Sequence, residues 1–263
     1  MQNDMKRLNI LKTLFVLFSA LLPPLTATGQ TTRGDFNYDG TTGMDDLTAL
    51  INYLVWGTWE DPSVPSETVT VNGVSFVMVH VEGGTYAISE GVTGTVSDFS
   101  IGQTEVTHEL WTAVMGTTIT HNPSPKNNVS WNDCQEFITR LNELTGKNFR
   151  LPSKVEWGFA ARGGNRSHGY LYSGGNQLNL VGWSQGNILH NVALLKANEL
   201  NLYDMSGNVS EWCSDIYPNP YKSYHWFRGG DTVRDPSFCL LSWGGSYTED
   251  TNSYMWLGFR LAM

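Results

Sequence analysis

Oxygen-bearing side chains recur at alternate positions in a twelve-residue stretch of the N-terminal region. Ligand oxygens at positions 1, 3, 5, 7 and 12, with a glycine at position 6 for the sharp turn, form a loop that wraps Ca²⁺. An apolar stripe at helical spacing follows, from residue 47 to residue 55. The segment 30–57 is therefore predicted to be a calcium loop followed by a helix. Its ligand positions are Asp35, Asn37, Asp39, Thr41 and Asp46, and its glycine is Gly40.

Other common chemistries are not indicated by the motifs. The chain has six histidines, and none forms an HxxxH or HExxH pair, so the spacing does not predict a zinc or iron site. No GxSxG motif, phosphate loop or dinucleotide fingerprint occurs. Asp231 and Asp235 could form a carboxylate pair, but solvated loop acids are far commoner than glycosidase pairs.

The composition and the N-terminus favour an exported protein that does not bind nucleic acid. The 263 residues include 25 acidic and 16 basic residues, a formal net charge of −9, whereas phosphate binding needs a basic face. Basic residues precede the apolar run 14–22, and small residues end at Gly29, which is typical of a signal peptide over 1–29. This run is shorter than the about 20 residues that span a bilayer. We therefore expect no membrane span after signal removal, and a secreted, periplasmic or cell-surface protein.

Turn and cap residues predict how the rest of the chain is organised. Residues 58–68 contain prolines and acids without periodicity and are predicted to be a linker, with a domain over 69–263. The dipeptide Asn72-Gly73 between β-forming residues predicts a hairpin. Three short helices are predicted to begin after capping residues and to end near glycines. The caps are Thr107, Ser130 and Ser153, and the glycines are Gly116 and Gly146.

Ordered motifs in the domain carry a family resemblance. They read EVTHELWTAVMG, VSWNDCQEFITRLNELTGKNFRLPSKVEWGFAARGG, LYDMSGNVSEWCSDIY, RGG and LGFRLAM. In this order, from about residue 70 to 263, the chain resembles the formylglycine-generating enzyme, or sulfatase-modifying factor, family. The resemblance implies an α+β, C-type lectin-like fold with little regular secondary structure. The N-terminal segment resembles one repeat of a type I dockerin, which carries two, so cohesin binding and a calcium-stapled spacer both remain open.

The resemblance also implies a calcium site inside the domain. The motif LYDMSGNVSEW places the side chains of Asp204 and Glu211 and the carbonyls of Gly207 and Val209 at the ligand positions of the family. The alternative is a turn whose acids are solvated. Calcium is therefore the expected cofactor of both the N-terminal loop and the domain.

The same resemblance indicates that copper chemistry is lost. The enzymes of the family bind copper(I) with two cysteines near the C-terminus; here the second falls on Cys239 and the first on Arg234. A guanidinium offers no lone pair and stays protonated, so it cannot ligate a metal. Two further positions depart from the enzymes, with Ser210 in place of tryptophan and Asp231 in place of serine. Copper is not expected, and the domain is predicted to keep the fold without the oxidation.

Cys239 then has two interpretations. It is a remnant thiol or half of a disulfide with Cys213, because three cysteines in an oxidising compartment allow one disulfide and one free thiol. Closing a loop of about 25 residues would stabilise the domain by roughly 3 kcal/mol in the chain-entropy model. The disulfide is the favoured prediction, and Cys134 is expected on the core face of a helix.

The C-terminal segment 231–256 interleaves aromatic and charged residues. Rings bring contact area at low entropy cost and polar neighbours set specificity, while packing of the rings under loops is the alternative. The favoured prediction is a secreted, non-catalytic protein that binds a surface protein or a glycan through this segment. A copper-dependent oxidase acting on a sulfatase cysteine and a dockerin-type assembly component remain alternatives. The candidate ligand-binding residues are Asp231, Arg234, Asp235, Trp243, Tyr247 and Trp256.

Overall fold

The computed structural model describes residue 61 and residues 63–89, 91–118 and 121–263. The predicted signal peptide 1–29, the predicted calcium loop and helix 30–57, and the first part of the predicted linker lie outside these residues, so they stay predictions. The described part combines helices and strands, which confirms the α+β class for the domain.

The domain opens with an antiparallel sheet. Its strands are β1 (Ser66–Val71), β2 (Val74–Val81) and β5 (Phe99–Gly102), in the order β1-β2-β5. The predicted hairpin at Asn72-Gly73 joins β1 to β2, and both turn residues have positive φ, 49° and 84°. A separate pair of antiparallel strands is formed by β3 (Gly84–Ser89) and β4 (Val92–Val96).

The domain begins earlier than the sequence predicts. Val64 is buried in the core and β1 starts at Ser66, whereas the predicted linker runs to residue 68. The predicted boundary is too late because β1 begins with three polar residues, Ser66, Glu67 and Thr68, which give no apolar pattern in the sequence.

The three predicted helices are confirmed together with their caps. The hydroxyl of each capping residue accepts a hydrogen bond from the backbone N–H three residues ahead, and Gly116 and Gly146 end the first two helices in the left-handed conformation. A single further helical turn follows the third helix, and two 3₁₀ turns cover Gly164–Arg166 and Pro236–Cys239. The helices are α1 (His108–Met115), α2 (Trp131–Thr145), α3 (Lys154–Ala161) and α4 (Leu178–Val181).

A four-stranded sheet organises the C-terminal half. Its strands are β6 (Ser210–Tyr217), β7 (Tyr224–Arg228), β8 (Ser246–Glu249) and β9 (Leu257–Gly258), in the order β8-β7-β6-β9. β9 pairs in parallel with β6, and the other neighbours are antiparallel. Because β7 and β8 run in opposite directions, the loop after β7 leaves from one end of this sheet and the loop after β8 leaves from the other.

Two clusters of buried side chains form the core. One packs α1 and α2 against β1 and β9, with Phe137, Trp212 and Phe259 at its centre. The other packs α3 against β2 and β5, with Trp157 as its largest side chain. Among the residues described, no helix has the length and apolar character needed to cross a membrane.

Candidate functional site

The loop after β7 places Arg234 among four aromatic rings, which we call the aromatic cage. The guanidinium carbon lies 4.2 Å from the ring centroid of Trp256 and 5.1, 5.1 and 5.5 Å from those of Phe227, Phe238 and Trp243. Guanidinium groups are attracted to ring faces within about 6 Å. The side chain of Arg234 is only 21% exposed, so the cage encloses most of it.

Asp231 supplies the counter-charge for this arginine. Its carboxylate is fully buried, and Oδ2 accepts a 2.7 Å hydrogen bond from Nε of Arg234 and lies 2.5 Å from Nη2. Oδ1 accepts from the backbone N–H groups of Val233 and Arg234 at 2.9 and 3.0 Å. Aspartate favours such turns because its short side chain reaches N–H groups two and three residues ahead. Every oxygen of the buried carboxylate therefore has a donor, as a buried ion pair requires.

Ser210, the first residue of β6, joins the pair. Nη2 of Arg234 donates to its Oγ at 2.6 Å, and the same hydroxyl lies 3.1 Å from the carbonyl oxygen of Gly230 and 3.2 Å from Oδ2 of Asp231. The three positions that the family resemblance marks as departures from the copper enzymes therefore contact one another. We call Ser210, Asp231 and Arg234 the Arg234 network.

The contacts within the Arg234 network could not be seen along the chain. Ser210 and Arg234 are 24 residues apart, on a strand and on the loop that follows its neighbouring strand. The sequence indicated each substitution separately. The one signal in the sequence was chemical: the arginine, the aspartate and the serine at these positions can form hydrogen bonds with one another.

Cys239 lies in the 3₁₀ turn beside the Arg234 network. Burial, followed by the charge of Asp231, raises the pKa of its thiol to about 12. A Cβ added at Gly230 would lie 2.7 Å from the sulfur, so the thiol is packed closely against the backbone. The thiolate is the nucleophile and the metal ligand of a cysteine, and here it is disfavoured.

The predicted disulfide between Cys213 and Cys239 is wrong. Both are free and buried, and Cys134 is free and buried as well. Cys213 lies within β6 and packs in the core cluster of Trp157, whereas the sulfur of Cys239 faces Gly230. Spacing along the chain gives the length of a loop but not the direction of its side chains. The expected position of Cys134 on the core face of α2 is confirmed.

Glu211, a predicted calcium ligand, is paired with Arg260 in the structure. Oε1 accepts from Nη2 and Nε of Arg260 at 2.8 and 3.2 Å, and Oε2 accepts from Nε at 3.0 Å and from Nε1 of Trp157 at 2.7 Å. Both side chains of the pair are fully buried. Arg260 also donates to the carbonyl oxygens of Gly102 and Tyr203. The carboxylate of Glu211 thus has donors on both oxygens, and its charge is already compensated by Arg260.

Asp204, another predicted calcium ligand, differs from Glu211 because its buried Oδ1 has no hydrogen-bond partner. Its Oδ2 accepts from the backbone N–H of Ala193 at 2.8 Å. Burial raises the pKa of Asp204 to about 6 and raises the pKa of the neighbouring Glu105 well above its usual range. Glu105 in turn accepts from the side chain of Asn208 and from the backbone of Val209. A buried carboxylate oxygen without a donor is a place where a cation would be stabilising.

Calcium in the domain therefore stays a prediction. Of the predicted ligands, Asp204 has a free side-chain oxygen and lies in the same motif as the carbonyls of Gly207 and Val209, whereas Glu211 is already paired. Within the described residues, no group of three or more His, Cys, Asp or Glu side chains could hold a metal ion. The residues fit a calcium ion only in part.

A chelator test checks the predicted calcium site of the domain. We expect calcium to raise the midpoint of thermal unfolding, because a ligand that binds only the native state stabilises it by linkage. Asp204→Asn should abolish the rise, measured by circular dichroism in calcium and in EGTA. Asp39→Ala, in the N-terminal loop, is the control and should keep the response of the domain. Equal midpoints in calcium and in EGTA would contradict the prediction.

The six candidate ligand-binding residues separate into three surroundings. Asp235 is exposed and its Oδ1 accepts from the backbone N–H of Ser237 at 2.9 Å, which begins the 3₁₀ turn. Tyr247 is exposed on β8, with its ring stacked on Tyr217 at a centroid distance of 3.5 Å. The other four lie in the Arg234 network and the aromatic cage: Asp231, Arg234, Trp243 and Trp256.

Fold and site together define a formylglycine-generating enzyme-type domain in which an arginine network stands where one of the copper cysteines is expected. The chain belongs to the family described as sulfatase-modifying factor enzyme 1-like domain, whose profile matches residues 63–263. This confirms the resemblance for the domain. The dockerin-like repeat lies outside the matched and the described residues.

Several known proteins are similar to this chain. Chaperone protein LppX of Paenibacillus barcinonensis is 30% identical in an alignment that covers 66% of this chain and 85% of that protein. A formylglycine-generating enzyme of Streptomyces coelicolor is 32% identical over 55% of this chain and 54% of its own length. The inactive C-alpha-formylglycine-generating enzyme 2 of Bos taurus is 32% identical over 41% of this chain and 38% of its own length. The chain thus spans about half or less of these last two relatives.

Among solved structures, Treponema denticola variable protein 1 has a similar fold. The TM-score is 0.66 at 27% sequence identity, covering 77% of this chain and 99% of that one. PvdO from Pseudomonas aeruginosa, with a TM-score of 0.62 at 20% identity, shares the fold.

Proposed function

We propose that this chain is a secreted, non-catalytic recognition protein on a formylglycine-generating enzyme-type domain. The observation that carries the proposal is the Arg234 network at the position of the first copper cysteine. Loss of the first copper-binding cysteine alone would leave the neighbouring residues without complementary hydrogen-bonding partners. Here Asp231 and Ser210 accept hydrogen bonds of 2.7 and 2.6 Å from the arginine, so the three substitutions match each other. This supports the interpretation that the Arg234 network stabilises the fold and does not take part in oxidation.

The relatives support a role other than oxidation. One is named as an inactive formylglycine-generating enzyme and another as a chaperone protein. The domain family therefore includes proteins whose names do not describe the oxidation. For this chain the thiol of Cys239 adds to the argument, because a pKa of about 12 keeps it protonated at neutral pH.

We assign recognition to the exposed side chains of segment 231–256. Val233, Asp235 and Tyr247 are exposed, whereas Asp231 and most of Arg234 are enclosed. In this proposal Arg234 orders the loop, and its exposed neighbours contact the surface protein or glycan. A loop held in one conformation loses less entropy on binding, which favours affinity.

The N-terminal region supports export and spacing in the same proposal. Residues 1–29 have the pattern of a signal peptide, and residues 30–57 have one calcium-loop pattern rather than the two of a dockerin. We propose that this segment is a calcium-stapled spacer that carries the domain outside the cytoplasm.

The oxidation assay tests the proposed loss of activity. The full chain is incubated with copper, oxygen, a reductant and a peptide that contains the sulfatase Cys-x-Pro-x-Arg motif, and mass spectrometry measures conversion of the peptide cysteine. We expect no formylglycine above the level without protein, because Arg234 cannot bind copper. The Streptomyces coelicolor enzyme is the positive control. Conversion of the peptide by this chain would overturn the non-catalytic assignment.

Arg234→Cys extends the assay. We expect this variant to remain inactive, because Asp231 and Ser210 still occupy the site and the carboxylate then lacks its counter-charge. A variant that changes all three positions to the residues of the enzymes, with Ser210→Trp and Asp231→Ser added, is the matched comparison. Activity of Arg234→Cys alone would show that the network is not what prevents oxidation.

A further inference from the structure

Arg228, the last residue of β7, is buried, and no carboxylate of the described residues forms an ion pair with it. The residue is 4% exposed, its Nε has no hydrogen-bond partner, and it forms no ion pair with any residue in the described part of the chain. Its guanidinium carbon lies 5.1 Å from the ring centroid of Trp157. Burying an unpaired charge is costly, and native proteins normally pair such a group or bind an ion with it.

Two more cations surround Arg228, and we call the three the cationic cluster. Arg162 lies over the ring of Tyr86 at 5.0 Å, and the Nζ of Lys154 lies 3.3 Å from the ring centroid of Trp226. Burial lowers the pKa of all three cations, repulsion by Arg162 further lowers that of Arg228, and repulsion by Arg228 further lowers that of Lys154. Arg228 therefore lies near enough to Arg162 and to Lys154 for its positive charge to repel theirs.

One carboxylate faces the cationic cluster. Asp215 is near enough to act on Arg228 and Lys154, but its Oδ2 accepts a 2.5 Å hydrogen bond from the backbone N–H of Lys154. The neighbouring thiol of Cys213 and hydroxyl of Tyr86 have their pKa raised by burial, so both are neutral at neutral pH. Among the residues that the structure describes, the cluster thus has three positive charges against one negative charge, in a chain whose net charge is −9.

Glycines keep the backbone close to the cationic cluster. A Cβ added at Gly245 would lie 2.6 Å from Cδ of Arg228, and one added at Gly158 would lie 2.5 Å from the hydroxyl oxygen of Tyr86. A larger residue at either position would displace these groups. The two glycines therefore permit Arg228 and Tyr86 to occupy their present positions.

An aromatic surface continues from the cationic cluster along β7. Side chains alternate across a strand, so Tyr224, Trp226 and Arg228 share one face of β7. Tyr247 pairs with Trp226 across β7 and β8, stacks on Tyr217, and is 40% exposed. We call Tyr217, Tyr224, Trp226 and Tyr247 the aromatic face.

We propose that the cationic cluster and the aromatic face together bind an acidic saccharide, such as a uronate or a sulfated sugar. The oxyanion supplies the missing counter-charge of Arg228, and the apolar face of the sugar ring packs on Tyr247. A flat ring surface beside a charge matches a pyranose, whose two faces are C–H groups and whose rim carries the polar groups. This deepens the recognition function proposed above and rests on it, but its failure would leave the oxidation result unchanged.

Arg228→Met gives the sharpest test. Without ligand, this variant should unfold at a higher temperature than the wild type, because it removes an uncompensated buried charge. It should also lose the rise in midpoint and the change in tryptophan fluorescence that glucuronate and glucose 6-sulfate cause in the wild type. Arg140→Met is the matched control and should keep the response, since Arg140 pairs with Glu136 on the exposed face of α2. A response retained in Arg228→Met, or a lower midpoint of that variant without ligand, would overturn the proposal.

Tyr247→Ala separates the sugar from the anion. Loss of the ring contact should weaken binding of glucuronate by about tenfold, which corresponds to the size of one aromatic contact. The response to inorganic sulfate should stay as in the wild type. Neutral glucose should not bind. An acidic peptide that binds while both acidic sugars fail would overturn the saccharide assignment, as would equal binding of glucuronate by Tyr247→Ala and the wild type.

Discussion

Glu211→Ala is expected to lower the free energy of unfolding by about 4 kcal/mol, because removing one partner of a buried ion pair leaves the other charge uncompensated. Arg260 would remain fully buried with only the carbonyl oxygens of Gly102 and Tyr203 as acceptors. Trp157 would lose the acceptor of its 2.7 Å hydrogen bond. Urea unfolding at neutral pH, followed by circular dichroism, measures the change.

A double-mutant cycle measures the interaction energy between Glu211 and Arg260. Glu211→Ala and Arg260→Met should each be strongly destabilising, and the double variant should cost clearly less than the sum of the two. Glu136→Ala breaks an exposed pair with Arg140 and is the matched control, with an expected change of about 0.5 kcal/mol. Additive costs in the cycle would show that the two side chains do not stabilise each other. The cycle is run in EGTA, so that any calcium contribution is kept apart.

Arg234→Met is expected to lower the free energy of unfolding by about 3 kcal/mol. The substitution removes the donors to Asp231 and Ser210 and leaves the buried carboxylate with two backbone N–H groups alone. It also removes the cation from the aromatic cage, where such a contact contributes about 1 kcal/mol. The same urea measurement applies.

Arg234→Lys and Asp231→Asn complete this test. Lysine keeps the charge but cannot form the fork of bonds to Asp231 and Ser210, so an intermediate loss is expected. Arg234→Met combined with Asp231→Asn should be more stable than Arg234→Met alone, because no buried charge is left unpaired. If Arg234→Met is as stable as the wild type, Arg234 is free to contact a ligand, and the proposed ordering role of the network is wrong.

The local elements of the domain could be predicted because the interactions that form them are local. Each helix cap and the N–H that it accepts from are three residues apart, as at Thr107, Ser130 and Ser153. The hairpin at Asn72-Gly73 needs only the ability of two residues to adopt positive φ. The family motifs then gave the domain class, and the match over 63–263 confirms it.

The predicted loss of the copper pair also rests on residue type alone. A protonated arginine offers no lone pair to a metal whatever surrounds it, so this prediction does not depend on the tertiary structure. Residue type does not decide whether Arg234 contacts a protein or glycan ligand, because the exposure of its side chain depends on the residues packed around it. In the folded domain four rings and a carboxylate enclose it.

Only the tertiary structure decided which distant side chains meet. Ser210 contacts Arg234 across 24 residues of chain, and Glu211 pairs with Arg260 across 49. Within the described residues, the free thiols of Cys213 and Cys239 and the unpartnered Nε of Arg228 likewise follow from the tertiary structure. The physical reason is common to all of them. Pairing and burial depend on the direction of each side chain and on what the fold packs against it, and spacing along the chain contains neither.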